Sequence, residues 1–428
     1  MAITIVTAMT LNAKAERILS VDNLFTLIEQ NSSELATLRS ATAAADEGIA
    51  AARAARLPDI NASLALNYNG NALLTNRQFG DAMWTHVPHF GNTLSLECVQ
   101  VLYSGGAITA GEQLARLGKE QTLVATELTR SQQRFLAISH YLDLFKIDNG
   151  IRVYDSNIAL TRRLIDDITE RYNQGMVLRN DVTRYELQLE TLLLGKVQLE
   201  DRRAIANHRL CNLLGLDVNE RLVPDDAILA TLRDSDTEQL WQQRALDASP
   251  ALRRCDLNTQ VARQEEQLAR SEMLPKISVI AANNFTGPIL TEVPPINKNI
   301  NTWFIGVGVK YNLGSLYKSN HKLKQAKLNT QRTVEQRTVV VEQLNNDVQS
   351  AYTLYRQSFV ALNTQQKSVQ LATQNYEVVN DRYLNQLAII TDMIDASNVR
   401  LNAELQEVDA RVNTIFALYR LKYASGTL

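Results

Sequence analysis

The sequence predicts a mainly α protein with a transmembrane β-barrel contribution, built as a duplicated unit of two strands and long coiled-coil helices. Three observations predict it: an internal duplication, two very long proline-free stretches, and four segments of about ten residues that alternate in polarity. The duplication is read directly. Residues 52–58 are Ala-Arg-Ala-Ala-Arg-Leu-Pro, and residues 269–275 are Ala-Arg-Ser-Glu-Met-Leu-Pro, 217 positions later. Arg171-Tyr172-Asn173-Gln174 is echoed by Arg382-Tyr383-Leu384-Asn385-Gln386 at an offset of 211, and Asp181-Val182 by Asp392-Met393 at the same offset. Copies of about 210 residues far exceed any solenoid unit, so the chain is a doubled half-molecule.

Proline placement sets the helices. The eight prolines leave residues 89–223 and 296–428 empty. Such stretches, rich in Leu, Gln, Glu, Arg and Ala, suit long uninterrupted helices. With a net charge of −2, nothing argues for nucleic acid or another polyanionic partner, and none is expected. No run of eighteen apolar residues is present, which excludes a membrane-spanning helix. Cys98, Cys211 and Cys255 lack metal or CxxC spacing, and the five histidines bring no further ligands, so no metal and no cofactor is expected. With no nucleophile elbow, P-loop or dinucleotide fingerprint, the chain does not read as an enzyme.

The elements follow in order. Residues 1–18 are an export-signal remnant or a disordered start: Met1 to Leu11 is apolar and Ala13-Lys14-Ala15 fits a small-residue cleavage site, although the basic flank is missing. A short helix is expected over 22–30 with Asp22 as N-cap, then a helix over 32–56 that must stop before Pro58. Residues 59–69 switch to period two, with Ile60, Ala62, Leu64, Leu66 and Tyr68 on one face and Asn61, Ser63, Asn67 and Asn69 on the other. A loop over 70–91 leads to a second strand near 93–103. The second copy has strands near 277–286 and 302–312. In the last, Trp303, Ile305, Val307, Val309 and Tyr311 share a face opposite Phe304, Gly306, Gly308, Lys310 and Asn312. A tilted barrel strand needs about ten residues to cross a bilayer. The alternative is an ordinary soluble sheet, but no other elements are available to build a core around it.

Helix lengths agree with a hairpin architecture. Residues 107–172 and 318–383 each make a helix of about 66 residues, or about 100 Å. The return helices, 180–214 and 391–424, are about half as long, and the helices 32–56 and 250–273 supply the missing length if stacked end to end. Val341, Leu344, Val348, Ala351, Tyr355, Phe359 and Leu362 follow the threes and fours of a coiled-coil seam, as do Val182, Tyr185, Leu189 and Leu192.

At this point the chain resembles the TolC-type outer-membrane efflux proteins (outer membrane factors) over nearly its whole length. The resemblance rests on Leu57-Pro58 and Leu274-Pro275 before the strands and on the two turns. These are Arg171-Tyr172-Asn173-Gln174-Gly175-Met176-Val177 with Asp181-Val182, and Arg382-Tyr383 with Ile389-Ile390-Thr391-Asp392-Met393-Ile394-Asp395-Ala396. The closing Lys422-Tyr423-Ala424-Ser425-Gly426-Thr427-Leu428 also fits. The resemblance implies a homotrimer in outer-membrane lipid, with a twelve-stranded barrel and an α-helical periplasmic tunnel. The short helices near 22–30 and 236–248, with 215–235, would form a belt. Such a duct is passive and works with a periplasmic adaptor (membrane fusion) protein and an inner-membrane pump.

The resemblance also assigns residues. Asp392 and Asp395 become gate and selectivity carboxylates, a ring of six in a trimer that favours cations; the alternative is that Asp392 caps its helix and Asp395 is solvated. Asp181 and Tyr383 are latch candidates. The family's arginine in the second turn is Ala388 here, which leaves Arg179 or Arg184 to replace it. Gly175, Met176, Val177, Leu387, Ala388 and Ile389 become the adaptor contact. Repeat 1 is expected over 19–215, a linker over 216–235 and repeat 2 over 236–428. The rival function is a soluble structural coiled-coil protein with a small β cap.

Overall fold

The computed structural model describes residues 16–231 and 236–428. The first fifteen residues of the expected leader and the end of the expected linker lie outside them. In chain order the first copy contains strand β1 (Glu16–Leu19), helices α1 (Val21–Asn31) and α2 (Ser33–Ala54), strands β2 (Asp59–Tyr68), β3 (Ala72–Leu74), β4 (Met83–Thr85) and β5 (Phe90–Tyr103), and helices α3 (Ala107–Asn173) and α4 (Arg179–Leu214). Then come β6 (Arg221–Pro224), a 3-10 turn (Asp226–Thr231), α5 (Glu238–Ala248), α6 (Pro250–Ser271), β7 (Lys276–Gly287), β8 (Ile300–Lys310), α7 (Ser315–Leu384) and α8 (Ile390–Ala424). The long helices have 67 and 70 residues and their returns 36 and 35.

The chain divides into two compact units. The helical unit comprises the chain up to Arg39 with Val124–Arg253 and Thr338–Leu428. Its main core joins α1, α3, α4 and α8 through Leu24, Ile28, Ile138, Tyr141, Leu210, Leu214 and Ile415. The segments before α1 and after α4 were expected as an export-signal remnant or disordered start (1–18) and as a linker within the belt (216–235), with no strand in either. Instead β1 and β6 pair in parallel, Glu16 opposite Arg221 and Leu19 opposite Pro224. The hydroxyl of Tyr141 fastens that pair: it donates to the Leu19 carbonyl (2.9 Å) and accepts the Asp225 N–H (2.8 Å). The Asn207 side chain bonds both neighbours of Arg221, donating to the Glu220 carbonyl and accepting the Leu222 N–H. Backbone groups buried this deeply need such partners.

The coiled-coil seam is present. Val348, Ala351, Tyr355 and Leu362 are buried, and Leu344 and Phe359 pack beside them against Trp241 and Ala245 of α5. The N-cap of α1 differs from expectation. Ser20 accepts the Asn23 N–H, while Asp22 lies in the first turn, where its charge favours the positive helix end.

The sheet unit comprises Ser40–Leu123 and Arg254–Arg337. Its principal sheet is antiparallel, ordered β2-β5-β7-β8. A small hairpin, β3-β4, occupies the segment expected as a plain loop. Tyr311 falls just beyond β8 instead of within it. The step from β5 into α3 turns at Gly105, whose φ is +66° and where a Cβ would sit 2.8 Å from the Ser271 carbonyl oxygen. Gly105→Ala is therefore expected to destabilise by at least about 1–2 kcal/mol through the left-handed backbone alone. Thermal unfolding of the purified protein checks this, and an unchanged midpoint would contradict the close approach.

Candidate functional site

Two features of the structure bear on function, one in each unit. The first is the sheet. Its register carries the period-two pattern across four strands, shifted only near Val101 and Tyr103 at the end of β5: Leu64 lies opposite Leu94, Leu94 opposite Phe285, and Val279 opposite Val307. One face therefore presents Ile60, Leu64, Leu66, Leu94, Leu96, Val279, Trp303, Ile305 and Val307, interrupted by Cys98, Gln100 and Asn283 and, toward one end, by Asn92 and Asn301. The other presents Asn61, Ser63, Thr93, Ser95, Glu97, Ser278, Asn284, Thr302 and Lys310, mixed with Val99, Ile280, Ile300 and Phe304, and Ser95 Oγ donates to Asn284 at 2.5 Å. The apolar face is bare. Ile60 is 67% exposed, Leu64 66%, Ile305 70% and Val307 69%. An uncovered apolar face of this size needs a partner other than water. Both outer strands, β2 and β8, are also bonded on one side only among the described residues.

The second feature is the pair of hairpin turns, which match bond for bond. Helix α3 ends with the Gly175 N–H bonded to the Tyr172 carbonyl and the Met176 N–H to that of Arg171. Helix α7 ends with Gln386 bonded to Tyr383 and Leu387 to Arg382. Both are Schellman closures, which require a residue at positive φ. That residue is Gly175 (φ +76°) in the first turn and Gln386 (φ +60°) in the second, so the second copy holds the strained form. The return helices begin alike. The Leu178 N–H donates to the Asp181 carboxylate at 3.3 Å and the Ile389 N–H to the Asp392 carboxylate at 3.2 Å. Asp392 thus occupies the capping position held open as its alternative role. Asp392 and Asp395 are both exposed.

The turns are tied together by a buried cluster. Ile168, Val182, Tyr185, Tyr376, Tyr383, Ile390, Met393 and Ala396 pack against one another, with Val177 and Ala388 beside them. The hydroxyls of Tyr185 and Tyr383 are buried without a hydrogen-bond partner among the described residues. Burial pushes the Tyr383 hydroxyl's pKa up, and the nearby Asp181 charge adds to the shift; the Asp181 carboxylate itself bonds Leu178. Burial likewise raises Tyr185, with Tyr376 and Tyr383 as its neighbours.

Of the arginines, Arg179 stands 3.9 Å from Glu186 and over the Tyr172 ring, and Arg184 is exposed. The side chain that reaches from the first turn to the second is Arg171, whose Nη1 donates to the Leu384 carbonyl at 3.1 Å, at the negative end of α7. Sequence reasoning quoted Arg171 in a motif without giving it this role; its position within the last turn of a helix was the available signal. Met176, Leu387 and Ile389 are exposed at the ends of the turns, as is Leu178, which was not among the expected contacts.

Comparison with known proteins bears on both features. Residues 241–427 match the family model described as Outer membrane efflux protein. The chain is 23% identical over 316 residues to the outer membrane protein TolC of Salmonella enteritidis, a match that covers 70% of this chain and 62% of that one. It is 21% identical over 412 residues to TolC of Vibrio cholerae, covering 95% and 90%. Among solved structures, the outer membrane protein VceC from Vibrio cholerae superposes with a TM-score of 0.74 at 15% identity, over 95% of this chain and 96% of that one. That superposition shows the fold: four strands interrupting long helical hairpins. The second half of the chain thus matches the outer membrane efflux protein family, and over nearly its whole length the chain is similar in sequence and fold to TolC-type outer membrane proteins of Gram-negative bacteria.

Proposed function

We propose that the chain is the passive duct of a tripartite efflux or secretion system, a homotrimer gated at its periplasmic end. The observation that supports this most is the two-faced sheet with unpaired edges. Unpaired backbone groups in hydrocarbon cost several kcal/mol each, so an open sheet does not persist there. Three copies joined edge to edge, β8 of one to β2 of the next, close a twelve-stranded barrel with the apolar face toward lipid and the polar face toward water. Repeats 19–215 and 236–428, joined by 216–235, each supply two of those strands and one helical hairpin.

Exposed apolar side chains along the helices are consistent with packing between copies: Leu187, Leu194, Val197 and Ile205 on α4, and Leu371 and Val399 on α7 and α8. The exposed turn residues Met176, Leu178, Leu387 and Ile389 offer an apolar end for a periplasmic adaptor, through which an inner-membrane pump supplies the energy. Asp392 and Asp395, three residues apart on one helix face, place six carboxylates near the constriction of a trimer and favour cations. Tyr383 and Asp181, with Arg171 beside Tyr383, hold the turns in the closed arrangement, and Arg179 and Arg184 are the further latch candidates.

Single-channel recording in planar bilayers tests this. Small discrete cation-selective steps are expected, and the Asp392→Asn, Asp395→Asn double variant is expected to lose most of the selectivity. Asparagine retains an acceptor for the Ile389 N–H, so the cap persists and charge alone is varied. Unchanged selectivity would remove the carboxylates from the gate. No conductance from protein that extracts without detergent would favour the soluble coiled-coil alternative.

A further inference from the structure

The polar face of the sheet carries an unusual concentration of positive charge where β7 begins and β8 ends. A cavity of 540 Å³ there is lined by Lys276, Lys310, Lys318 and Lys322, and Glu272 is the one acid among its lining residues. Lys322 pairs with Glu272 at 3.0 Å, the cavity's ion pair among the described residues, which leaves three lysines in surplus. Two of them are forced together by the register. Lys276 is directly opposite Lys310 in the antiparallel pair, and like charges in that position repel. The cavity also takes in the first two turns of α7 through the buried Ser315 and Ser319, and the amino end of a helix adds partial positive charge.

This feature is absent from the first copy. Aligned on Tyr103 and Tyr311, the counterparts of Lys310, Lys318 and Lys322 are Leu102, Ala110 and Leu114; aligned on Pro58 and Pro275, that of Lys276 is Asp59. The cations that the first copy does bring to its strand-to-helix junction, Arg53, Arg56 and Arg116, all converge on Glu112 at 3.2 Å or less. The second copy has the cations without the shared carboxylate. Duplication and barrel geometry therefore do not account for the lysines.

We propose that this cavity binds a phosphate-bearing anion. Lysine is a point-charge phosphate ligand, and the cavity lies within the size range of small-molecule sites, about 300–1,000 Å³. The four lysines are exposed to solvent, so affinity depends steeply on salt. The same chemistry suits a soluble phosphate ester within a water-filled duct or the phosphate of a lipid headgroup at the barrel rim. The polar-face position of Lys276 and Lys310 favours the soluble source. This choice of source rests on the channel reading, whereas binding itself does not.

The test is titration calorimetry of inorganic phosphate into the detergent-purified protein at low ionic strength. Saturable binding is expected, weakened roughly tenfold in Lys310→Gln, Lys318→Gln and unchanged in Lys367→Gln, a lysine of the helical unit. The single variant Lys318→Gln serves if the double variant fails to fold. A second arm compares thermal stability in nanodiscs of phosphatidylcholine alone and with added phosphatidylglycerol. Stabilisation by phosphatidylglycerol that the lysine variants abolish, without calorimetric phosphate binding, would assign the site to a lipid headgroup. No effect in either arm from folded protein overturns the proposal. Because the calorimetry needs no conducting pore, phosphate binding without conductance would leave the site standing while the channel reading fails.

Discussion

Leu64→Arg is expected to abolish assembly of the barrel, whereas Asn61→Arg, three residues away on the same strand, is expected to leave it intact. Leu64 lies on the bare apolar face of β2, in the middle of a ten-residue strand. An arginine on the lipid face near the bilayer midplane costs about 2–4 kcal/mol, and a trimer incurs that cost three times. Asn61 lies on the polar face directly opposite Glu97. Arginine there gains a cross-strand partner of opposite charge. The readout is the yield of heat-resistant trimer from outer membranes on unboiled gels. Equal yields from the two variants would mean that the faces are misassigned. A soluble cap predicts the opposite order, since Leu64→Arg would then improve solubility.

The local signals were strong where backbone geometry is local. Period-two alternation located all four strands of the main sheet to within three residues, because one-residue slips would exchange its faces. The absence of proline located both long helices, and Pro58 the end of α2. What the sequence did not disclose was set by distant partners. Strands β1 and β6 have four residues each and no alternation to speak of; they exist because Glu16–Leu19 meets Arg221–Pro224 and Tyr141 closes the ends. Ser20 and Asp22 are both competent N-caps, and only the path of the chain chooses between them. The charge surplus around Lys276 and Lys310 depends on which residues face each other across β7 and β8, which is a matter of register and not of spacing.

The hairpin turns show the same division. Their positions were legible from Gly175, Asp181 and Asp392, residues with fixed local duties in closing and starting helices. The contact between the turns was not. Arg171 reaches Leu384 across more than two hundred positions, and Tyr185 meets Tyr376 in a cluster to which no single heptad pattern points.

That cluster supports the other large effect. Met393 is fully buried among Ile168, Val182 and Tyr185 from the first hairpin and Tyr376 and Tyr383 from the second. Met393→Ala removes most of a side chain from the point where the hairpins meet, at an expected cost of about 2–5 kcal/mol. The loss is local, so amide exchange in the segments 174–178 and 385–389 is expected to accelerate before the rest of the helical unit responds. If these turns close the duct, as proposed, the variant is expected to conduct more in bilayers. Tyr185→Phe is expected to act in the opposite direction. Its hydroxyl is buried without a partner, and deleting it relieves a desolvation penalty of about 1–3 kcal/mol. The sign with pH follows from the same burial, which raises the folded-state pKa of Tyr185, Tyr376 and Tyr383. An acid whose pKa is raised on folding favours the unfolded state once pH exceeds the unfolded value, about 10 for tyrosine. Protection of the turns is therefore expected to fall in alkali, and less steeply in Tyr185→Phe. Slower exchange in Met393→Ala, or an alkaline loss as steep in Tyr185→Phe as in the parent, would mean that something other than this cluster holds the two hairpins together.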